Sequence, residues 1–96
     1  MRNRYIVTYD VSDPKRLRKT FLTMRGFGEP VQYSVFVCEL SLKEKATLIS
    51  SLKDVINHNE DRIMIIDLGW VDSDPLDRIE FVGKSKEFPN SECIII

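Results

Sequence analysis

The hydrophobic pattern changes period several times along the chain, and each change marks an element. Tyr5-Ile6-Val7-Thr8-Tyr9 is dense in β-branched and aromatic residues and reads as a strand. Asp10-Val11-Ser12-Asp13-Pro14 follows as a turn, with Asp13 placed to cap a helix and Pro14 at its first position. At about 100° per residue, Leu17, Phe21 and Met24 then share one stripe, which predicts a helix to about Arg25 that Gly26-Phe27-Gly28 stops. Gly28-Glu29-Pro30 reads as a loop, and Val31 to Cys38 as strand with a kink near Tyr33-Ser34 that divides it in two. Ser41-Leu42-Lys43-Glu44 is a capping box opening a second helix to about Asn57, with the stripe Leu42, Ala46, Ile49, Leu52 and Ile56. Past the polar turn 58–61, Arg62 to Leu68 is strand again, apolar on both alternating faces. A polar stretch from Asp72 to Asn90 leads to the apolar end Cys93-Ile94-Ile95-Ile96. Such an end predicts an added edge strand, in its own sheet or in that of a partner.

The order strand, helix, strand, strand, helix, strand predicts an α+β, ferredoxin-like βαββαβ sandwich with an additional C-terminal strand. With 96 residues the chain has room for one domain, a core over about 1–70 and an arm over about 71–96. Two helices cover one face of a sheet, so the other apolar face predicts contact with a second copy, a homodimer. Composition agrees with a folded chain: 43% hydrophobic and 30% charged residues exclude disorder and fibrous classes. No segment reaches the roughly 20 apolar residues of a membrane span, and the N-terminus has no apolar signal stretch. Cys38 and Cys93 stand far apart in apolar runs, as buried hydrophobes rather than a disulfide framework or zinc site, which suits a reducing cytoplasm.

Charge changes this picture. The formal net charge is −1, but residues 1–25 carry seven basic side chains against Asp10 and Asp13, and the rest of the chain is acidic. That asymmetry points to a basic binding face, or to an exposed helix with a basic N-terminal stub. Arg16, Arg18, Lys19 and Arg25 are placed to meet phosphates, with Ser34 as a further donor. Tyr9, Tyr33 and Phe36 can stack on unpaired bases where exposed, or pack in a core.

Asp10 is the most informative position for chemistry. It sits where the first strand turns towards a helix, and a carboxylate there suits Mg²⁺ as well as it suits an Asx-turn or a helix cap. One carboxylate is a poor metal site, and a two-fold dimer would bring a second Asp10. His58, in a polar turn after a helix, reads as a partner of the helix C-terminus rather than a general base. Asp72, Asp74 and Asp77 lack calcium-loop spacing and read as a solvated loop. There is no serine-nucleophile motif, glycine-rich phosphate loop or Cys/His metal spacing.

Tyr9-Asp10-Val11-Ser12-Asp13 closing the first strand, the arginine-rich helix after it, and Val31-Gln32-Tyr33-Ser34-Val35-Phe36 together resemble the small CRISPR-associated spacer-acquisition family ("Cas-two"). The segment Leu76-Asp77-Arg78-Ile79-Glu80-Phe81 and the isoleucine-rich end are similar to that family as well, so the likeness spans the whole chain. The resemblance implies a ferredoxin-like homodimer whose two Asp10 residues meet and bind Mg²⁺. It implies a metal-dependent endonuclease acting on single-stranded RNA or double-stranded DNA in antiviral defence. It further implies a place beside the CRISPR integrase during spacer acquisition, where the alternative role is a non-catalytic adaptor on duplex DNA. Tyr9, Arg16, Arg18 and Phe36 match family positions tied to nuclease activity. Pro30 departs from members that carry a basic residue just before the Val-Gln-x-Ser-Val-Phe motif.

Overall fold

The computed structural model describes residues 1–70 and 79–83. Its elements run β1 (Asn3–Asp10), α1 (Pro14–Arg25), β2 (Gly28–Gln32), β3 (Val35–Leu40), α2 (Leu42–Lys53) and β4 (Arg62–Trp70). The four strands form one sheet in the order β2-β3-β1-β4, every pairing antiparallel. This is the ferredoxin-like arrangement that the element order predicts.

Both helix starts follow from their caps. The Asp13 carboxylate accepts from the Arg16 N–H at 3.0 Å with Pro14 in the first turn. At α2 the Ser41 hydroxyl accepts from the Glu44 N–H at 3.1 Å while Glu44 accepts from the Ser41 N–H at 2.8 Å. The reciprocal bonds hold the Glu44 carboxyl below its ordinary range, the backbone bond from Ser41 being the largest cause.

Alternation along β1 divides the sheet. Tyr5, Val7 and Tyr9 face the helices and join Phe36, Cys38, Leu40, Met24, Leu48 and Leu52 in the main core, onto which Ile63 and Ile65 of β4 also pack. On the other face Ile6 and Val35 pack with Val31, Val37, Ile79 and Phe81. The chain's own segment 79–83 thus covers the β2–β3 side of the face assigned from sequence to a second copy. On the β1–β4 side, Thr8 pairs with Met64 and Ile6 with Ile66, and both Met64 and Ile66 are exposed.

Four local expectations are corrected. Gly28-Glu29-Pro30 is strand, since Gly28 pairs with Cys38 and Pro30 with Phe36; Pro30 is tolerated because β2 is an edge strand. The second helix ends at Lys53, where the Asp54 cap closes it, rather than near Asn57. Its inward stripe is only partly the expected one: Leu52 is buried and Ile56 packs on the core, but Leu42 and Ala46 are exposed and Leu48, outside that stripe, is buried. The capping box and the Arg2–Glu44 ion pair at 3.0 Å fix the first turn of that helix, where Lys45 brings its ammonium 5.1 Å from the centroid of the Tyr5 ring. Finally, β1 begins at Asn3 and β4 runs on to Trp70, both longer than the apolar runs alone indicate. Asp72, Asp74, Asp77, Cys93 and the isoleucine-rich end with its expected strand lie outside the described residues.

Candidate metal and nucleic-acid site

Asp10 is the last residue of β1, exposed, and directly across from Arg62, the first residue of β4. By alternation with Ile6 and Thr8 it belongs to the sheet face away from the helices. Among the described residues its carboxylate makes no hydrogen bond or ion pair, and Asp13, not Asp10, caps α1. Opposed residues on one face lie within roughly 4.5–5.5 Å at Cβ, so Arg62 stands as a cation beside this carboxylate. Sequence reading missed Arg62, because only strand register places it there.

The N-terminal positive charge is not all available. Arg2 pairs with Glu44, and the buried Arg4 pairs with Glu39 at 2.7 Å. Arg16 is held in a fork on Asp61, Nε to Oδ2 at 2.7 Å and Nη2 to Oδ1 at 3.2 Å, with Glu60 and Asp13 at 4.0 and 3.9 Å. Asp61 also accepts from the Asn57 N–H at 2.8 Å. The hydrogen bond from Arg16, then that from Asn57, holds the Asp61 carboxyl below its ordinary range, and the same pair raises Arg16. Arg16 therefore clamps α1 to the loop before β4. Lys15, Arg18 and Lys19 are exposed and have no ion pair among the described residues, while Arg25 lies 5.8 Å from the centroid of the Phe21 ring.

The aromatic candidates separate by burial. Phe36 is fully buried, 5.7 Å from Phe21 and 6.2 Å from Tyr9 between ring centroids, so it packs and does not stack on a base. Tyr9 is nearly buried; burial raises its phenol, partly offset by a hydrogen bond from the Ser34 side chain. Its N–H donates to the Ser34 carbonyl at 3.1 Å, which fastens the β2–β3 turn to β1. Ser34 has φ 62°, a left-handed conformation that costs a non-glycine residue about 1–2 kcal/mol. Tyr33 beside it is 82% exposed. His58 is exposed and sits 3.3 Å from the Lys53 carbonyl, at the end of α2. Burial pushes the Cys38 thiol up to about 11, which leaves it inert at neutral pH.

No helix among the described residues is long and apolar enough to cross a membrane. No cluster of three or more His, Cys, Asp or Glu side chains forms a metal site among them. Fold and site together define a small ferredoxin-like α+β protein with a free strand-end carboxylate and a cation-rich first helix. The chain belongs to the family described as CRISPR associated protein Cas2, whose pattern matches residues 2–72. It is 41% identical over 96 residues to a CRISPR-associated endoribonuclease Cas2 of Geobacter sulfurreducens, covering all of both chains. It is 38% identical over 92 residues to CRISPR-associated endoribonuclease Cas2 1 of Rhodospirillum rubrum, 96% of this chain and 89% of that one. Among solved structures, Streptococcus pyogenes Cas2 at pH 6.5 matches with TM-score 0.71 and 29% identity, over 83% of this chain and 99% of that one. A second solved structure, a crystal structure of cas2, matches with TM-score 0.76 and 26% identity, over 99% of this chain and all of the other.

Proposed function

We propose that the protein is a metal-dependent phosphodiesterase that cleaves single-stranded RNA as a homodimer in the spacer-acquisition branch of CRISPR defence. The observation that carries this reading is the exposed Asp10 carboxylate, without a partner among the described residues, on the same sheet face as the exposed Met64 and Ile66. Joining two copies through that apolar half-face brings both Asp10 residues to one seam. The pair then offers the hard oxygen ligands that a divalent ion such as Mg²⁺ prefers, which a single Asp10 does not. Bound there, Mg²⁺ supplies a Lewis acid and a more acidic water. Arg62 stands beside Asp10 to hold the phosphate, and Arg18 and Lys19 carry the flanking backbone. The relatives at 38% and 41% identity, both named endoribonucleases, favour RNA as the substrate.

The test is cleavage of a defined single-stranded RNA with Mg²⁺ and with chelator, by wild type and Asp10→Asn. Wild type cleaves only with the metal, and the variant falls by at least 10²-fold while keeping its melting temperature. Cleavage by Asp10→Asn at the wild-type rate rejects the mechanism. The exposed charges of Lys15, Arg18 and Lys19 favour a second reading, a dimeric adaptor that holds duplex DNA for the CRISPR integrase without turnover. There, Asp10→Asn leaves integration intact and Arg18→Glu with Lys19→Glu abolishes it.

A further inference from the structure

A groove of about 530 Å³ runs between α1 and the β2–β3 turn, with Tyr9 in its lining. Clefts of roughly 300–1,000 Å³ suit ligands of small-molecule size. Pro14, Leu17, Phe21 and Pro30 give it apolar walls, and Tyr33 and Arg18 stand at its surface. Among the described residues no carboxylate contributes to the lining. Arg18 brings an exposed guanidinium with no ion pair among the described residues, in contrast to Arg16 two positions earlier. The Tyr9 phenol, Gln32 and Ser34 add donors and acceptors. The left-handed backbone at Ser34 fixes the tight turn that carries Tyr33, and the Tyr9 N–H bond to the Ser34 carbonyl ties that turn down.

An exposed flat ring, apolar walls and an exposed guanidinium are the chemistry that recognises an unpaired nucleotide: base on ring, phosphate on cation. We propose that this groove binds one unstacked nucleotide of a single strand, with Tyr33 stacking on the base and Arg18 on its phosphate. The inference rests on the nucleic-acid reading above and adds a base-contacting site apart from Asp10, on the helix side of the sheet. Tyr33 does this where Tyr9 and Phe36 cannot, because both of those rings are buried.

The experiment measures binding of the full chain, as Asp10→Asn so that nothing is cut, to two single-stranded oligonucleotides of equal length and charge. One is an ordinary RNA and the other carries stable abasic residues throughout. The intact strand should bind about tenfold tighter than the abasic one, within the range measured for a stacked base. Tyr33→Ala should erase that preference and Tyr33→Phe should keep it, since the ring and not the hydroxyl does the stacking. Arg18→Ala should weaken both strands by a similar factor and flatten the salt dependence. Equal binding of the two strands, or a preference that survives Tyr33→Ala, overturns the groove and leaves the nucleic-acid reading standing. Failure to bind either strand at low salt overturns both.

Discussion

Gly28 shows how closely β2 lies on β3. A Cβ at Gly28 would run into the Val37 carbonyl oxygen and the Cys38 Sγ, and a backbone oxygen in a ladder has little room to yield. Gly28→Ala should therefore cost about 1–3 kcal/mol, as overpacked positions do, seen as a lower urea midpoint with an unchanged slope. A fall of a few tenths would mean that β2 peels away at no cost. Sequence reading placed this glycine in a loop, because Gly-Glu-Pro has the composition of one and only the Cys38 register makes it strand. The same limit applies to Arg16 and Phe36. Residue type announced a cation and an aromatic ring. What occupies them, an aspartate 45 positions away and the ring of Phe21, depends on packing that no local pattern encodes.

Elements with strong local signals were the legible ones. Asp13-Pro14 and Ser41 to Glu44 start both helices where their capping chemistry predicts. The first half of α2 was not legible, since Leu42 and Ala46 share the apolar period yet face solvent, while Glu44 and Lys45 meet Arg2 and the Tyr5 ring across the fold. How α1 is docked gives a pH prediction. Asp61 has its carboxyl held below the ordinary 3.8 by Arg16, so the fork stabilises the fold above that value and is lost as pH falls through the lowered one. Asp61→Asn should melt lower than wild type at pH 7, and the gap should close as pH drops from about 5 towards 2. A gap that stays constant across thermal melts in that window would show that the fork's charge does not contribute and only the Asn57 bond matters.

At the scale of the whole molecule, the decisive surface is the uncovered half of the sheet. Segment 79–83 lays Ile79 and Phe81 over Val31, Val35 and Val37, yet leaves Met64 and Ile66 of β4 exposed beside Thr8. Adjacent exposed apolar residues on a rigid sheet favour association with a surface of the same kind, and a two-fold operation makes the patch its own complement. Asp10 stands on that face, so the proposed metal site and the proposed dimer share one seam. The coupling can be separated by substitution. Met64→Glu with Ile66→Glu puts four like charges across a two-fold interface but leaves the helix-facing core, Ile63 and Ile65 included, untouched. The double variant should sediment as an 11.2 kDa monomer and keep a cooperative melt, whereas wild type, as the proposed dimer, should sediment at twice that mass. It should also lose metal-dependent cleavage with Asp10 intact, because one chain contributes only one of the two carboxylates. A monomer that still cleaves at the wild-type rate would place the metal within a single chain and remove the reason for the dimer.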